Sequence, residues 1–208
     1  MNKKNEVGII GAGWVGNAMS ELFQQALICD PKYPNASSIE DINSRCSIAF
    51  VCVPTPLKKD NSLDVSIVED VVSKCDCPLI VLRSTVNPGD CDRLEKKYKK
   101  NIVMQPEYIG ESVNHPLLDE TERSFLIIGG KPENRRKLIE LYTSVYNANI
   151  SIRQTTNLEA EVIKLSENRA IAFKMMQIQE LFDVCEEANV DYYTIRDAVY
   201  SDDHRFNL

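Results

Sequence analysis

The 208-residue sequence predicts an α/β fold, a doubly wound parallel sheet followed by the long helix of a small all-α domain. Three observations carry this expectation. Short apolar runs, several of them apolar throughout, alternate with helical stretches from Glu6 to Arg153, as expected of parallel strands covered on both faces. A glycine-rich loop joins the first strand to the first helix. From Leu158 to Asn189 the chain has no glycine, no proline and no strand pattern.

Taken in order, "EVGII" (Glu6–Ile10) is the first strand, followed by a helix over Trp14–Gln25. The run "ALIC" (Ala26–Cys29) is the second strand and "SIAFVCV" (Ser47–Val53) the third, with a helix over Val65–Lys74 behind it. "LIVLRS" (Leu79–Ser84) precedes a helix over Asp90–Lys99. The lysines of "EKKYKK" (Glu95–Lys100) then fall in that helix's last turn, where cations suit the helix dipole. "NIVM" (Asn101–Met104), "FLIIG" (Phe125–Gly129) and "ISIR" (Ile150–Arg153) complete the strands. A helix over Pro132–Tyr146 carries its proline in the first turn.

The long helix, Leu158–Asn189, starts at a cap on Thr156 or Asn157 with Glu159 and Glu161 in its first turn. About 30 residues at about 1.5 Å each make it some 45 Å long. Ile163, Ala170, Ile171, Met175, Met176, Leu181 and Phe182 spread over more than one of its faces. Such a helix needs cover on two sides, from the first domain and from a second subunit, so a homodimer is expected. A shorter helix follows near Tyr192–Tyr200. The expected division is a cofactor-binding domain at 1–154 and a helical, dimer-forming domain at 155–208.

Composition excludes several classes of function. A formal net charge of −7 is unsuited to a phosphate backbone, so no nucleic-acid partner is expected. No apolar run approaches the roughly 20 residues of a membrane span. The start, "MNKKNEVGIIGAGWVG", is broken by glycines and does not read as a signal peptide. Seven scattered cysteines suit a reducing, cytoplasmic setting. Cys75 and Cys77 form a lone C-x-C, and with two histidines in the chain no metal site is expected.

The loop "GAGWVG" spaces Gly11, Gly13 and Gly16 as G-x-G-x-x-G. Gly11 makes the tight turn, Gly13 lets a pyrophosphate approach the backbone, and Gly16 lets helix and strand pack closely. Trp14 and Val15 open the helix, whose free N–H groups and positive dipole end face the phosphates. Asp30 closes the second strand 19 positions after Gly11, near the roughly 20-residue spacing of a ribose-binding acid. A carboxylate there accepts both ribose hydroxyls and repels a 2′-phosphate. The cofactor expected is therefore NAD in a Rossmann-like site, with Lys32 slightly weakening the preference over NADP.

Beyond the loop, "FVCVPTP" (Phe50–Pro56), "LRSTVNPG" (Leu82–Gly89), "MQPEYIGE" (Met104–Glu111), "FLIIGG" (Phe125–Gly130) and the helix from Glu159 to Asp191 occur in order. Together they resemble the successive signatures of the UDP-glucose/GDP-mannose dehydrogenases. The resemblance implies an oxidoreductase that takes the C6 hydroxymethyl of a nucleotide sugar to a carboxylate with two NAD⁺, a reaction that serves polysaccharide biosynthesis. It implies that Val53, Pro54, Thr55, Ser84 and Thr85 line the nicotinamide side. Glu107 corresponds to the acid that handles the hydrolytic water with Thr85. Tyr108, Ile109, Gly110 and Glu111 correspond to the loop meeting sugar and cofactor, and Lys164 and Asn168 to the pair that binds the reacting oxygen.

Elementary chemistry points the same way. Lys164 and Asn168 are four apart on a helix and share a face, and an ammonium beside an amide stabilises an oxyanion as hydride leaves carbon. An enclosed carboxylate at Glu107 can serve as acid or base. His115 and His204 have no partners placed for catalysis.

The sequence also departs from the family. No cysteine corresponds to the nucleophile that the family carries soon after the arginine matched here by Arg205, and the nucleotide-binding C-terminal domain is not matched. The interval from Asp30 to "FVCVPTP" is short of a helix and strand that the family usually has. A truncated or minimal member with incomplete machinery is therefore expected, and residues 1–208 alone are expected to be poor catalysts. The alternatives are a two-electron 3-hydroxyacid dehydrogenase of related fold, disfavoured because "QPEYIGE" stands where that family has Ser-Gly-Gly, and a non-catalytic NAD-binding dimerisation module.

Overall fold

Strands β1 (Glu6–Ile10), β2 (Leu27–Cys29), β3 (Cys46–Val51), β4 (Leu79–Leu82) and β5 (Ile102–Met104) form one parallel sheet in the order β2-β1-β3-β4-β5. The computed structural model describes residues 6–110, 119–146 and 149–200. Helices α1 (Trp14–Leu22), α2 (Ile39–Arg45), α3 (Ser66–Lys74), α4 (Asp90–Tyr98) and α5 (Pro132–Tyr142) alternate with the strands. A second parallel pair, β6 (Phe125–Ile128) with β7 (Ser151–Gln154), precedes α6 (Asn157–Ala188) and α7 (Tyr192–Tyr200).

Side chains alternate across the five-stranded sheet and feed two cores. Ile10, Ala49, Val51, Ile80, Leu82, Ile102 and Met104 face one side, where Ile42 of α2, Val68 and Val72 of α3 and Leu94 of α4 cover them. Ile9, Ile48, Phe50, Leu79, Val81 and Val103 face the other, under Met19 of α1 and Leu138 and Tyr142 of α5. Burial on both faces is why these strands read as unbroken apolar runs.

The seven expected strands are all present, with ends shifted by a residue or two. The helix α2 lies in the β2–β3 crossover, where no helix is expected from periodicity. At seven residues it is too short to show a pattern, and a capping box defines it instead. Asp41 N–H donates to Ser38 Oγ (3.1 Å) while Ser38 N–H donates to the Asp41 carboxylate (2.9 Å).

The edge of β5 is finished by a side chain, not by a sixth strand. Asn157 Oδ1 accepts the Met104 N–H (2.8 Å), and its Nδ2 donates to the Ile102 carbonyl (3.3 Å). The Met104 carbonyl accepts the Gly129 N–H (2.8 Å). Thr156 caps α6 reciprocally with Glu159, its N–H donating to Glu159 Oε2 (2.7 Å) and its Oγ1 accepting the Glu159 N–H (3.2 Å).

The chain divides into two compact units, Met1–Lys164 and Leu165–Leu208, so the division falls inside α6. In the second unit Phe182 of α6 meets Tyr192 of α7 with ring centroids 5.4 Å apart, and Cys185 is buried. Phe173, Met175 and Met176 of that unit are 60%, 67% and 64% exposed, a run of large apolar side chains on α6.

Candidate cofactor and substrate cleft

The glycine loop lies at the carboxyl end of β1, between β2 and β3, where strand order reverses. In open α/β sheets this switch point is where ligands bind. Gly11 has φ +95°, its N–H donates to the Cys29 carbonyl (2.9 Å), and a Cβ on it would stand 2.6 Å from the Cys52 carbonyl oxygen. A Cβ on Gly16 would overlap the Gly11 carbonyl oxygen, whereas one on Gly13 would meet no heavy atom within 4 Å. The loop is closed to side chains where helix meets strand and open where a ligand would approach.

No side chain caps α1 at Gly13, and its first turn has no acid. Its first N–H groups and positive dipole end are thus left to an anion. Trp14 is 52% exposed at this end and Val15 is half-buried. These features fit a dinucleotide pyrophosphate.

Asp30 braces the loop directly. Its Oδ2 accepts the Ala12 N–H (2.8 Å) and its Oδ1 the Lys32 N–H (2.7 Å). These bonds, that from Ala12 first, hold the carboxyl below the usual aspartate range. Each oxygen keeps a lone pair for a further donor. Lys32 itself is exposed.

The next two strand ends are laced together. Ser84 Oγ donates to the Val53 carbonyl (2.6 Å) and Thr55 Oγ1 to the Thr85 carbonyl (2.7 Å). Val53 also borders the glycine loop, 3.2 Å from where a Gly11 Cβ would be, and Pro54 is exposed.

Glu107 and Lys164 meet, although 57 residues apart. Lys164 Nζ donates to the Glu107 backbone carbonyl (2.6 Å) and lies 3.2 Å from its Oε1. The lysine side chain is 8% exposed, and Glu107 Oε2 is buried without a hydrogen-bond partner among the described residues. The ammonium also sits 4.9 Å from the Tyr108 ring centre, with the Arg123 guanidinium 5.1 Å from the same ring. Ile109 and Gly110 are buried beside them. Asn168 is one turn beyond Lys164 on α6, exposed and in the second unit. Glu111, His115, His204 and Arg205 lie outside the described residues.

Sequence reasoning missed a buried polar cluster beside this pair. Arg83 and Arg123 both pair with Glu120, all three with fully buried side chains. The Arg123 Nε–Glu120 Oε2 distance is 2.8 Å. Tyr146 donates to the Glu120 carbonyl (3.0 Å), and Tyr142 to Gln105 (2.6 Å). The one signal in the sequence is Arg83 itself, a permanent charge directly after the all-apolar "LIVL".

All seven cysteines are free thiols. Burial pushes Cys52 up to about 12 and raises Cys91 well above the ordinary thiol range, with Glu161 adding to the effect at Cys91. Both are therefore protonated and unreactive near neutrality. Among the described residues no group of side chains is placed to hold a metal ion, and no helix is long and apolar enough to cross a membrane.

Fold and loop together define a dinucleotide-binding α/β domain. The chain belongs to the UDP-glucose/GDP-mannose dehydrogenase family: the family's NAD-binding domain matches residues 20–148 and its central domain residues 158–207. The cofactor of this domain is NAD. UDP-glucose 6-dehydrogenase of Rickettsia typhi is 28% identical over 196 residues, covering 87% of this chain and 44% of that protein. An uncharacterized protein of Methanocaldococcus jannaschii is 30% identical over 166 residues, covering 73% of this chain and 18% of that one. The chain thus spans less than half the length of these curated relatives. In fold it is similar to GDP-mannose dehydrogenase from Pseudomonas aeruginosa, solved as a ternary complex, with TM-score 0.79 and 21% identity over 98% of this chain and 58% of that one. A UDP-glucose dehydrogenase from Pyrobaculum islandicum gives TM-score 0.77 and 20% identity over 96% and 57%.

Proposed function

We propose that this chain supplies the NAD site and the reacting-oxygen site of an enzyme that oxidises a nucleotide sugar such as UDP-glucose at C6. The observation that carries the reading is the enclosed Lys164–Glu107 pair, held in the same compact unit as the glycine loop. Bound NAD supplies the hydride acceptor. Gly13 and the helix start at Trp14 and Val15 take its pyrophosphate, on a loop that Gly11 and Gly16 shape. Asp30 holds the ribose and disfavours NADP, with Lys32 beside it, while Val53, Pro54, Thr55, Ser84 and Thr85 border the nicotinamide.

The Lys164 ammonium binds the substrate oxygen and stabilises the charge that grows on it as hydride departs. Glu107, with one carboxylate oxygen unpartnered, is the group that takes a proton or orients water together with Thr85. Tyr108, Ile109 and Gly110 border the sugar site, and Glu111 and Asn168 are assigned to the sugar and the reacting oxygen from the family's motifs alone. The exposed apolar run on α6 supports a homodimer, and the seven free thiols fit a cytoplasmic enzyme.

The test is slow, sugar-dependent NADH formation by residues 1–208 with UDP-glucose and with GDP-mannose, beside NAD binding by calorimetry. NAD binding together with sugar-dependent NADH that vanishes in Lys164→Met supports the reading. NAD binding with turnover only on small hydroxyacids overturns the substrate assignment.

A further inference from the structure

Beyond the residues that would touch cofactor or sugar, one buried carboxylate is unaccounted for. Glu161 is 1% exposed and lies three positions before Lys164. Its Oε2 accepts the Gly89 N–H (2.6 Å) and its Oε1 the Cys91 N–H (2.8 Å). These two amides lie at the start of α4, whose N-cap residue Gly89, at φ +90°, has no side chain to cap the helix. A helix start is ordinarily capped from its own neighbourhood, as Ser38 caps α2. Here the cap comes from 70 and 72 residues away.

Asn157, Glu161 and Lys164 recur at four and three positions, so they line one face of α6. Each fastens to a different part of the first unit. Asn157 takes the β5 edge, Glu161 the start of α4, and Lys164 the Glu107 carbonyl. The α4 start is the end of the segment that begins with Ser84 and Thr85. Between them Asn87 is held by its N–H (3.1 Å) and Nδ2 (2.9 Å) on the Asp90 carboxylate, so the segment has little slack.

We infer that Glu161 is a positioning residue, whose carboxylate ties the Ser84–Cys91 segment to α6 and so fixes Lys164 against Glu107. A carboxylate suits the task because one rigid group accepts two amides at the positive end of a helix dipole. The inference rests on the reading of this cleft as the oxidation site for its meaning, but its geometry is tested without turnover.

The experiment follows reductive methylation of each lysine in the full chain by mass spectrometry, well below the melting temperature. Wild type is compared with Glu161→Gln, which can accept one amide but not two, and with Leu94→Ala, a cavity in α4 that leaves the cap intact. In Glu161→Gln we expect Lys164 to react about tenfold faster, the loss of roughly one net hydrogen bond's worth of hold, with other lysines unchanged. Leu94→Ala should melt earlier without that selective change. An unchanged Lys164 rate in folded Glu161→Gln, or the same rise in Leu94→Ala, overturns the proposal.

Should Glu161→Gln not fold, Glu161→Asp, one methylene shorter, is measured in its place. Wild-type amide exchange gives a check that needs no variant. Gly89 and Cys91 should exchange as slowly as the amides of β4, and exchange at loop rates refutes the tie. Failure of wild type to bind NAD would sink the functional reading and leave the lysine result standing.

Discussion

Ala12 and Asp30 are joined by a 2.8 Å hydrogen bond from the glycine-loop amide to the carboxylate that ends β2. The acid therefore shapes the loop as well as offering itself to a ribose. Because the bonds from Ala12 and Lys32 depress its folded-state pKa, its contribution is complete above the unfolded value of about 3.9 and is lost as pH falls through the lower folded value. NAD affinity should be flat from neutrality down to pH about 5, so far as this group controls it, and fall only in stronger acid. Asp30→Ala should weaken NAD at every pH and narrow the gap to NADP. Calorimetry with both cofactors checks this, and an undiminished preference in the variant would refute the assignment.

Gly16→Ala and Gly13→Ala should separate folding from binding. The first forces a methyl into the Gly11 carbonyl and should destabilise by about 1–3 kcal/mol in urea unfolding, the usual range for overpacking. The second projects into open space and should leave stability within about 0.5 kcal/mol while weakening NAD. Equal effects of the two on unfolding would contradict the packing described.

Lys164→Met should lower sugar-dependent NADH formation by roughly 10²–10³-fold, as loss of an oxyanion-stabilising group does elsewhere. NAD binding should survive, because among the described residues the lysine meets Glu107 and Tyr108 and not the glycine loop. Steady-state rates alongside calorimetry decide the matter.

Glu120→Gln should be far more damaging than loss of a surface pair. It leaves the Arg83 and Arg123 guanidiniums buried without their shared anion, a change expected to cost about 3–5 kcal/mol. Lys74→Ala, which breaks the exposed pair with Asp70, should cost at most about 0.5 kcal/mol. Urea midpoints of the two variants give the comparison.

Phe173→Glu or Met175→Glu should yield a monomer if the exposed run on α6 is a subunit interface. Sedimentation of wild type and variant at the same concentration tests it, and a monomeric wild type at high micromolar concentration would remove the dimer.

The central strands β3, β4 and β5 were readable because both faces of the sheet are covered there, which leaves few polar positions to blur the pattern. The glycine loop was readable because each glycine answers a separate steric demand. What escaped was held together by single side chains over long separations. Helix α2 hides in a capping box, and Asn157 reads as one more polar residue at a helix start. Nothing local in "LEAEV" shows that Glu161 reaches α4. The meeting of Arg83 with Glu120 is invisible for the same reason, since a charge pair 37 residues apart leaves no periodicity. The ordered motifs brought Glu107 and Lys164 together on paper, but not the backbone carbonyl that the lysine uses.

The fastening face of α6 also bears on the order in which the chain can fold during synthesis. When the ribosome has released residues only as far as Gln154, the residues of all seven described strands have been made, yet the edge of β5 and the start of α4 still lack the groups that satisfy them. The next ten residues deliver Asn157, Ala160, Glu161 and Lys164, each to a partner made long before. Contacts of such sequence separation form late and slowly. The nascent sheet thus waits with an open edge until two turns of helix emerge and close it, and in that interval its exposure to chaperones or to mispairing is greatest.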